Sequence, residues 1–382
     1  MLRFLINKIH SLTQQQHKYQ PLINIKINKS ALLHNFHTLQ SIAPQWQIAP
    51  VIKSNAYGHG LTLIINILQK EKNIPFFCVD SFFEARLIRN TETKIPILIL
   101  GYTPTLTIQK NKLKNIFFTV GSLEQLQSLI KLKIHRIIHL KFDTGMHRRG
   151  ILHSLSSEII RILKTNTTIQ IDGIMSHFAE SNNLDSEFTE LQIKRWNELV
   201  EQFQKELPNI RYYHIANSHG FIYTKNIIAN VGRAGIALYG IDSKNLFKKL
   251  QPILSMDSIV GEIQTIAPNE SVGYNRTFTA QHEMKIATIP VGYFEGVDLR
   301  LSNQLFSFLI QNKKAPIVGR VSMNMSSCNV TDILNVNINS PINIISDHAE
   351  NQNSIQNIAN LCNTSPYEIL IHIPQHLHRT IV

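Results

Sequence analysis

The sequence has little of several features that would narrow its function at once. It contains only three cysteines, Cys78, Cys328 and Cys362, which lie far apart and form no C-x-x-C pair. An odd and dispersed set of cysteines is typical of a protein from a reducing compartment, and it indicates neither a disulfide framework nor a zinc site. We therefore expect no bound metal.

Long hydrophobic runs are also missing, so we expect no membrane association. The N-terminal stretch MLRFLINKIHSLTQQQHKYQ lacks an unbroken apolar segment and an A-x-A-like cleavage site. It predicts an N-terminal tail over residues 1–21 and a cytoplasmic protein. The sequence has 38 Lys and Arg against 26 Asp and Glu, a net charge of +12, without any dense basic block. This scattered charge favours a small anionic ligand over nucleic acid.

What the sequence does contain is an alternation of short apolar runs and longer segments with helical spacing. The runs are rich in Ile, Leu, Val and Phe with little alternation, which is typical of strands buried on both faces. They are predicted at 50–55, 76–80, 96–100, 116–120, 136–143, 171–178, 212–217 and 231–236. Eight such strands predict an α/β fold of the (β/α)8 type, a TIM-like barrel. The alternative is a doubly wound open sheet, but no G-x-G-x-x-G follows the first strand.

The pattern changes near residues 250–252. Beyond this point short strand-like runs are separated by turn residues such as Pro268 and Asn269, and a helix is predicted near 353–361. We therefore predict three parts: the tail over 1–21, the barrel over 22–252, and a mainly-β C-terminal domain over 253–382.

The stretch VIKSNAYGHG, residues 51–60, is the first candidate for chemistry. A β-branched pair leads directly into Lys53, and two glycines follow, which predicts a lysine at the end of the first strand. Burial there would make the neutral amine accessible, which is the state needed for a Schiff base with a carbonyl cofactor. Most strand-end lysines are plain surface residues. The residues at the other strand ends are therefore needed to choose between a surface lysine and a cofactor-binding lysine.

Polar residues collect at the carboxyl ends of the other predicted strands, the edge where barrels carry their active sites. Each one could be a satisfied core group, and Ser218 could be a helix N-cap, but their joint placement favours an active site. Ser218 and the Gly235-Ile236 turn also offer a hydroxyl and free N–H groups for a phosphate. The residues at this edge are Lys53, Tyr57, Lys141, Asp143, Arg148, His177, His214, Asn217, Ser218, Arg233 and Gly235.

These segments carry a family resemblance. The sequence is similar to the barrel motifs of bacterial alanine racemases in VIKSNAYGHG, HLKFDTGMHRRG, MSHFAES, HIANSHG and VGRAGIALYG. It resembles their C-terminal domain in SVGYNRTFTA, IPVGYFEG, GRVSMNM and PYEIL. Nine motifs in collinear order, from about Leu22 onward, are highly specific. The resemblance implies a pyridoxal 5'-phosphate enzyme that acts as a head-to-tail homodimer, in which the C-terminal domain contributes to the partner's active site.

The resemblance also implies residue roles. Lys53 would hold the cofactor as an internal aldimine and act as the base on one face of the substrate Cα, while the partner subunit's Tyr274 would act on the other face. Arg233 would face the pyridine nitrogen; since a guanidinium has no acceptor, the ring stays a weaker electron sink, which favours racemisation. The substrate carboxylate would be held by Arg148 and the Met323 backbone, with Lys141 carbamylated to orient Arg148. The remaining implied cofactor-binding residues are Tyr57, His177, Asn217, Ser218, Gly235, Ile236 and Tyr367.

Some positions depart from the family pattern. Asn182 and Asn324 stand in place of Asp, Leu299 in place of Arg, and Phe294-Glu295 in place of Ala-Asp. The replaced charges belong mostly to the entry corridor and the dimer interface, so we expect altered substrate access with the chemical groups intact.

The predicted function is interconversion of L- and D-alanine by a two-base mechanism through an external aldimine, supplying D-alanine for peptidoglycan. A broader amino-acid racemase is one alternative, and a non-catalytic pyridoxal-phosphate-binding protein is another. Such binding proteins are single-domain barrels, which would leave the added C-terminal domain unexplained. A nucleic-acid-binding protein has only the +12 charge in its favour.

Overall fold

The computed structural model of the protein describes residues 20–166, 168–183, 186–242, 244–247 and 249–382. The predicted tail over 1–21 lies outside these ranges except for its last two residues. The strands are β1 (Asn24–Ile27), β2 (Gln47–Pro50), β3 (Phe77–Val79), β4 (Ile97–Ile99), β5 (Ile116–Val120), β6 (Arg136–Asp143), β7 (Ile151–Leu152), β8 (Ile169–Met175), β9 (Tyr212–His214), β10 (Val231–Ala234), β11 (Leu254–Ile259), β12 (Glu262–Ile266), β13 (Ser271–Val272), β14 (Phe278–Thr279), β15 (Met284–Ile289), β16 (Ser307–Ile310), β17 (Lys313–Pro316), β18 (Ser326–Asn329), β19 (Pro341–Ile345) and β20 (His378–Ile381). The helices are α1 (Lys29–Ile42), α2 (Lys53–Tyr57), α3 (Leu61–Leu68), α4 (Phe82–Arg89), α5 (Thr105–Lys110), α6 (Leu123–Lys131), α7 (Ser156–Lys164), α8 (Glu187–Glu206), α9 (Ile355–Leu361) and α10 (Pro366–Ile371).

The chain divides into two compact units. The first, here called the barrel unit, consists of Ile27–Leu254, Ser346–Gln375 and Ile381–Val382. The second, here called the β unit, takes the described residues up to Lys26 together with Ser255–Ile345 and His376–Thr380. The units exchange segments at both ends of the chain. The predicted ranges 22–252 and 253–382 do not anticipate this exchange, because a local pattern cannot show which sheet a strand will join.

Eight parallel strands form the barrel unit, so the predicted (β/α)8 fold is confirmed. Strands β3, β4, β5, β6, β8 and β9 pair in that order, and β10 pairs with β2. A parallel bridge between Val51 and Cys78 joins β2 to β3. The Arg233 N–H donates to the Ala216 carbonyl at 3.1 Å and ties β10 to the segment after β9. Every residue of β3, β4 and β5 is buried, as expected for a parallel sheet covered by helices.

The helices around the barrel begin at the caps that the sequence offers. Ser81 and Glu84 form a capping box at the start of α4, and the Ser122 side chain accepts from the Gln125 N–H at the start of α6. Helix α8 is 20 residues long and buries one apolar face, which includes Trp196 and Phe203. None of the helices in the described part of the chain is long and apolar enough to cross a bilayer.

The first barrel strand ends earlier than the sequence predicted. A strand was expected over 50–55, but β2 stops at Pro50 and α2 begins at Lys53. Within α2 the residues Ser54, Asn55 and Ala56 all have φ of 54°. An extended strand needs negative φ, so the chain must leave the sheet before this turn. Lys53 therefore lies past the strand end rather than within it.

Antiparallel pairing dominates the β unit. It joins β11 to β19, β16 to both β17 and β19, and β15 to both β12 and β18. Its largest sheet has six strands in the order β17, β16, β19, β11, β1 and β20, and a second sheet has the order β12, β15 and β18. A small hydrophobic cluster under β12 and β15 includes Ala280, Met284, Ile286 and Val318. The mainly-β character that the sequence predicted for this region is confirmed.

Candidate active site

The carboxyl ends of the barrel strands surround a pocket of about 660 Å³. Every barrel-unit residue to which the family resemblance gave a role lines it: Lys53, Tyr57, Lys141, Arg148, His177, Asn217, Ser218, Arg233, Gly235, Ile236 and Tyr367. Asp143 and His214, which were also predicted at this edge, lie outside the residues that line it. A second cavity of about 620 Å³ lies at the amino ends of β5, β6 and β8. In barrels the carboxyl ends carry catalysis, so the first pocket is the candidate active site.

The turn after β2 carries Lys53 at the pocket. Four consecutive residues without glycine, from Ser54 to Tyr57, have φ between 52° and 54°. Each left-handed residue of this kind costs about 1–2 kcal/mol, so the turn needs external support. Glu84 supplies it: its Oε1 accepts from the Ser54 N–H at 2.5 Å and its Oε2 accepts from the Asp80 N–H at 2.8 Å. The Lys53 side chain keeps 37% exposure, so the burial predicted for it is only partial.

Arg233 lies at the centre of the most connected polar network in the pocket. Its residue is 3% exposed, and Nη1 and Nη2 donate to the carbonyls of His214, Ser176 and Ile215 at 2.8–3.0 Å. Burial lowers the pKa of Arg233 to about 10, which still leaves the guanidinium charged at neutral pH. The Nε–H has no hydrogen-bond acceptor among the described residues, and it is the donor left for a ligand.

Two histidines complete this network, and Arg233 fixes their protonation. Nη1 lies 2.7 Å from His214 Nδ1, and Nη2 lies 3.0 Å from His177 Nδ1. A guanidinium can only donate, so both Nδ1 atoms must be unprotonated acceptors. His214 Nε2 then donates to His139 Nδ1 at 2.8 Å. Burial, followed by the positive charge of Arg233, holds the pKa of His177 and His214 well below the usual range.

Lys141 on β6 and Arg148 on the loop after β6 form a second cationic group. Lys141 is buried on β6, and its pKa is lowered to about 8 by burial and then by the positive charge of Arg148. Arg148 has no carboxylate partner in the part of the chain that the structure describes. Asp143 shapes the loop that presents it, since its Oδ1 accepts from the N–H groups of Gly145 and His147 at 2.8 and 3.2 Å. The unpaired guanidinium of Arg148 is suited to a ligand carboxylate.

The turns after β9 and β10 form an anion-binding surface. Ser218 Oγ accepts from the N–H groups of Gly235 and Ala237 at 2.9 and 3.2 Å, which fixes the two turns against each other. A Cβ at Gly235 would lie 2.8 Å from the Tyr57 hydroxyl, so only glycine leaves this space open. The Tyr57 hydroxyl and the Ile236 N–H have no hydrogen-bond partners among the described residues. These free donors fit the phosphate of pyridoxal phosphate, and the Arg233 Nε–H fits its ring nitrogen.

The two remaining predicted residues lie in the β unit. Tyr274 is 71% exposed and Met323 is 55% exposed. The loop that carries Met323 is braced by two of the positions that depart from the family pattern. Asn324 Nδ2 donates to Glu295 Oε1 at 2.7 Å, and Glu295 Oε2 accepts from the Gly292 N–H at 2.9 Å. The Met323 carbonyl in turn accepts from the Phe294 N–H at 2.9 Å.

Sequence reasoning missed four charged or polar residues of the pocket, namely Asp80, Tyr102, Arg149 and His219. Asp80 directly follows β3, so its position after a strand was a signal that could have found it. Arg149 donates to the carbonyls of Leu100 and Thr119 at 3.0 and 2.9 Å, which ties the loop of Arg148 to the barrel. The second arginine of the HRRG motif is thus a brace for the first.

Comparisons with known proteins agree with this geometry. Family models described as "Alanine racemase, N-terminal domain" and "Alanine racemase, C-terminal domain" match residues 27–243 and 253–381. Alanine racemase 2 of Caldanaerobacter subterraneus subsp. tengcongensis is 30% identical over 94% of both chains. The alanine racemase of Methanococcus maripaludis is 31% identical over 93% of this chain and 97% of its own.

Solved structures show the same fold. An alanine racemase of Clostridium difficile 630 has a TM-score of 0.87 at 27% identity and covers 96% of this chain and 97% of that one. An alanine racemase from Bartonella henselae with covalently bound pyridoxal phosphate has a TM-score of 0.85 at 23% identity, covering 95% of this chain and 100% of that one.

The neutral histidines predict an acid-sensitive fold. In the folded protein the pKa of His139 is lowered to about 3, and the pKa of His177 and of His214 is also well below the usual value, chiefly by burial. The unfolded chain binds protons at these residues near pH 6.5. Stability should therefore fall as the pH drops below 6.5. We expect a loss of about 1 kcal/mol per histidine between pH 7 and 5.5, measured by urea unfolding.

The variant His139→Phe tests the assignment, because the ring packs edge-on against Phe76 and stacks on Phe117 and Tyr212. It should remove about one third of this pH dependence whatever its effect on absolute stability. His282→Gln, at an exposed histidine of the β unit, is the matched control and should keep the full dependence. Equal pH dependence in the two variants would contradict the prediction.

Proposed function

Because the chain belongs to the alanine racemase family, as its matches to both domain models and to relatives of 30% and 31% identity show, we propose that its barrel pocket interconverts L- and D-alanine. The enzyme is a pyridoxal-phosphate-dependent isomerase. The observation that carries the residue assignment is the convergence of Lys53, Arg233 and the Ser218–Gly235 contact on one pocket. We further propose that the enzyme works in the cytoplasm and supplies D-alanine for peptidoglycan.

Lys53 is the residue that would bind the cofactor covalently, since it lies on the same turn as Tyr57 and lines the pocket together with Arg233. When bound, pyridoxal phosphate withdraws electrons from the substrate Cα and makes its proton removable. Ser218, Gly235, Ile236, Tyr57 and Tyr367 would hold the phosphate, and Asn217 positions Ser218 by accepting from Gly220 N–H at 3.0 Å. Arg233 can only donate to the ring nitrogen, so it keeps that nitrogen unprotonated.

Inversion at Cα needs a proton donor and a proton acceptor on opposite faces. Lys53 would serve one face once its amine is released by the substrate. We propose that the partner subunit's Tyr274 serves the other. The support is that the Tyr274 side chain is 71% exposed on a turn of the β unit. Such exposure suits a side chain that enters the site of another subunit. His177 would present its Nε2–H to that phenol, since its Nδ1 is occupied by Arg233.

Arg148 would bind the substrate carboxylate, together with the main chain at the partner's Met323. Two neighbouring cations repel, and this repulsion is one reason that the pKa of Lys141 is lowered to about 8. We propose that Lys141 reacts with CO2 to form a carbamate, in which the amine nitrogen bonds to carbon and one proton leaves. The lowered pKa supports this step, because only the neutral amine can react. The resulting anion would pair with Arg148 and orient it.

The main experiment is incubation of the purified holoenzyme with L- or D-alanine in deuterated water. We expect both to approach a racemic mixture with deuterium at Cα, because each proton removed is replaced from solvent. NMR measures the deuterium, and chiral chromatography measures the isomers. Lys53→Ala is the control and should show neither. Cofactor binding without exchange would instead indicate a non-catalytic pyridoxal-phosphate-binding protein, and equal rates with serine would indicate a broader racemase.

Tyr274→Phe tests the second proton-transfer group. L- and D-alanine have equal free energies, so kcat/KM must stay equal in both directions, and the face served by each residue must be read from exchange. We expect racemisation to fall by about 10²–10⁴. D-alanine should still gain deuterium without inversion through Lys53, whereas L-alanine should not. Equal, small losses of exchange in both isomers would contradict the assignment.

Mixed dimers show whether the two residues of one site come from different subunits. Lys53→Ala and Tyr274→Phe are each expected to be inactive in racemisation. On subunit exchange at equal amounts, half of the dimers become hybrids with one intact site, which predicts recovery of about one quarter of wild-type activity. No recovery despite hybrid formation would place both residues in the same subunit's site.

The carbamate is tested by 13C NMR of the protein equilibrated with 13C-bicarbonate. A protein carbamate resonance should appear in the wild type and be absent in Lys141→Gln. At pH 7 a lysine with a pKa of about 8 has roughly a tenth of its amine neutral, compared with less than a thousandth for an ordinary lysine. Lys285→Gln, at an exposed lysine, is the matched control and should retain the resonance. A wild-type spectrum identical to that of Lys141→Gln would contradict the proposal.

A further inference from the structure

The pocket is strongly unbalanced in charge. Among the described residues that line it, one carboxylate, that of Asp80, faces several cations. The cations are Lys53, Arg148, Arg149 and Arg233, and Lys141 is a fifth when its amine is protonated and not carbamylated. Such a pocket attracts an anionic cofactor and an anionic substrate group. A carboxylate within the pocket weakens that attraction. The presence of Asp80 is explained if its carboxylate pairs with one specific cation.

That partner is Lys53. The distance from Lys53 Nζ to Asp80 Oδ1 is 3.9 Å. The pairing is set by the main chain, because Glu84 holds the Ser54 N–H with one carboxylate oxygen and the Asp80 N–H with the other. On the far side the Asp80 carbonyl accepts from the Gly101 N–H at 2.9 Å. The backbone thus presents the Asp80 carboxylate to the Lys53 amine without using the carboxylate itself.

Glu84 is the other carboxylate near Lys53, and its two oxygens already accept from the Ser54 and Asp80 N–H groups. Three other titratable neighbours of Lys53 are uncharged. Cys78 is buried below the turn, and burial raises the pKa of its thiol to about 12, so it is uncharged. His177 stays neutral because burial and Arg233 lower its pKa. Burial raises the pKa of Tyr57 above its usual value, so its phenol is also uncharged. Arg233 carries the same sign as Lys53 and repels it.

We propose that Asp80 is a positioning residue for Lys53: its carboxylate holds the Lys53 ammonium whenever this amine is not linked to the cofactor. The inference rests on the proposed function, in which Lys53 carries pyridoxal phosphate. To capture the cofactor, the ammonium releases a proton to solvent, its nitrogen bonds to the aldehyde carbon, and water leaves. The Asp80 pair stabilises the ammonium and so slows this capture. The same pair gives Lys53 a defined place to return to when the substrate amine displaces it.

The test is cofactor capture, measured apart from racemisation. The holoenzyme is stripped with hydroxylamine, and recapture of pyridoxal phosphate is followed by stopped-flow absorbance at pH 7. The limiting rate at saturating cofactor reports the covalent step, and the half-saturation concentration reports attraction of the phosphate. Borohydride trapping and peptide mass spectrometry identify the labelled lysine.

We expect Asp80→Asn to raise the limiting rate about 3-fold, within the range of exposed ion pairs. Asp80→Glu should stay near the wild-type rate. Asp332→Asn, which removes an exposed carboxylate of the β unit, is the matched control and should change nothing.

Two results would overturn the inference. An unchanged limiting rate in Asp80→Asn would show that the carboxylate does not hold Lys53. A change confined to the half-saturation concentration would show that Asp80 acts on the cofactor anion rather than on the lysine. Failure of the proposed function is a different outcome, in which the wild-type protein itself shows no label on Lys53.

Discussion

The buried guanidinium of Arg233 is the interaction on which the pocket depends. A charge with 3% exposure needs hydrogen-bond acceptors around it, and here three carbonyls and two imidazoles surround the two Nη atoms. Those acceptors come from the ends of β8 and β9 and the residues after them, so one side chain joins three neighbouring strand ends. It also decides the protonation of His214 and His177. The hydrogen-bonding state of both histidines beside the pocket therefore follows from one residue on β10.

A second constraint acts on the Lys53 turn. The left-handed residues after Lys53 are unfavourable alone, and they persist because Glu84 accepts from Ser54 and because the turn packs closely elsewhere. A Cβ at Gly58 would lie 2.1 Å from the Leu370 carbonyl, so α10 contacts the turn directly. The returning segment Ser346–Gln375 thereby supports the Lys53 turn, which explains why this late part of the chain belongs to the barrel unit.

The departures from the family pattern are partly compensated within the β unit. The Asn324 amide donates to the Glu295 carboxylate, and Phe294 stacks on His376 with ring centroids 5.1 Å apart. These contacts fix the loop that carries Met323 although the residue types differ. Leu299, in contrast, is 40% exposed and places an apolar side chain where the family commonly has a charge. The altered positions thus change the side chains of this surface, while the contacts of Asn324 and Gly292 with Glu295 brace the Met323 loop.

The sequence by itself determined the barrel, the mainly-β region and most of the polar residues that line the pocket. Apolar runs indicate which segments are buried, and collinear motifs indicate the family. Both signals can be read without knowing which residues are in contact. Only the tertiary structure decided that β1 joins the β unit, that Lys53 lies beyond the end of β2, and that the Asp80 carboxylate lies near the Lys53 amine. These features depend on backbone dihedrals and on contacts between segments distant in sequence, such as the contact of Glu84 with Ser54. A sequence pattern describes only residues that are close along the chain. Charge pairing between two strand ends of a barrel depends on folding, which brings those ends together.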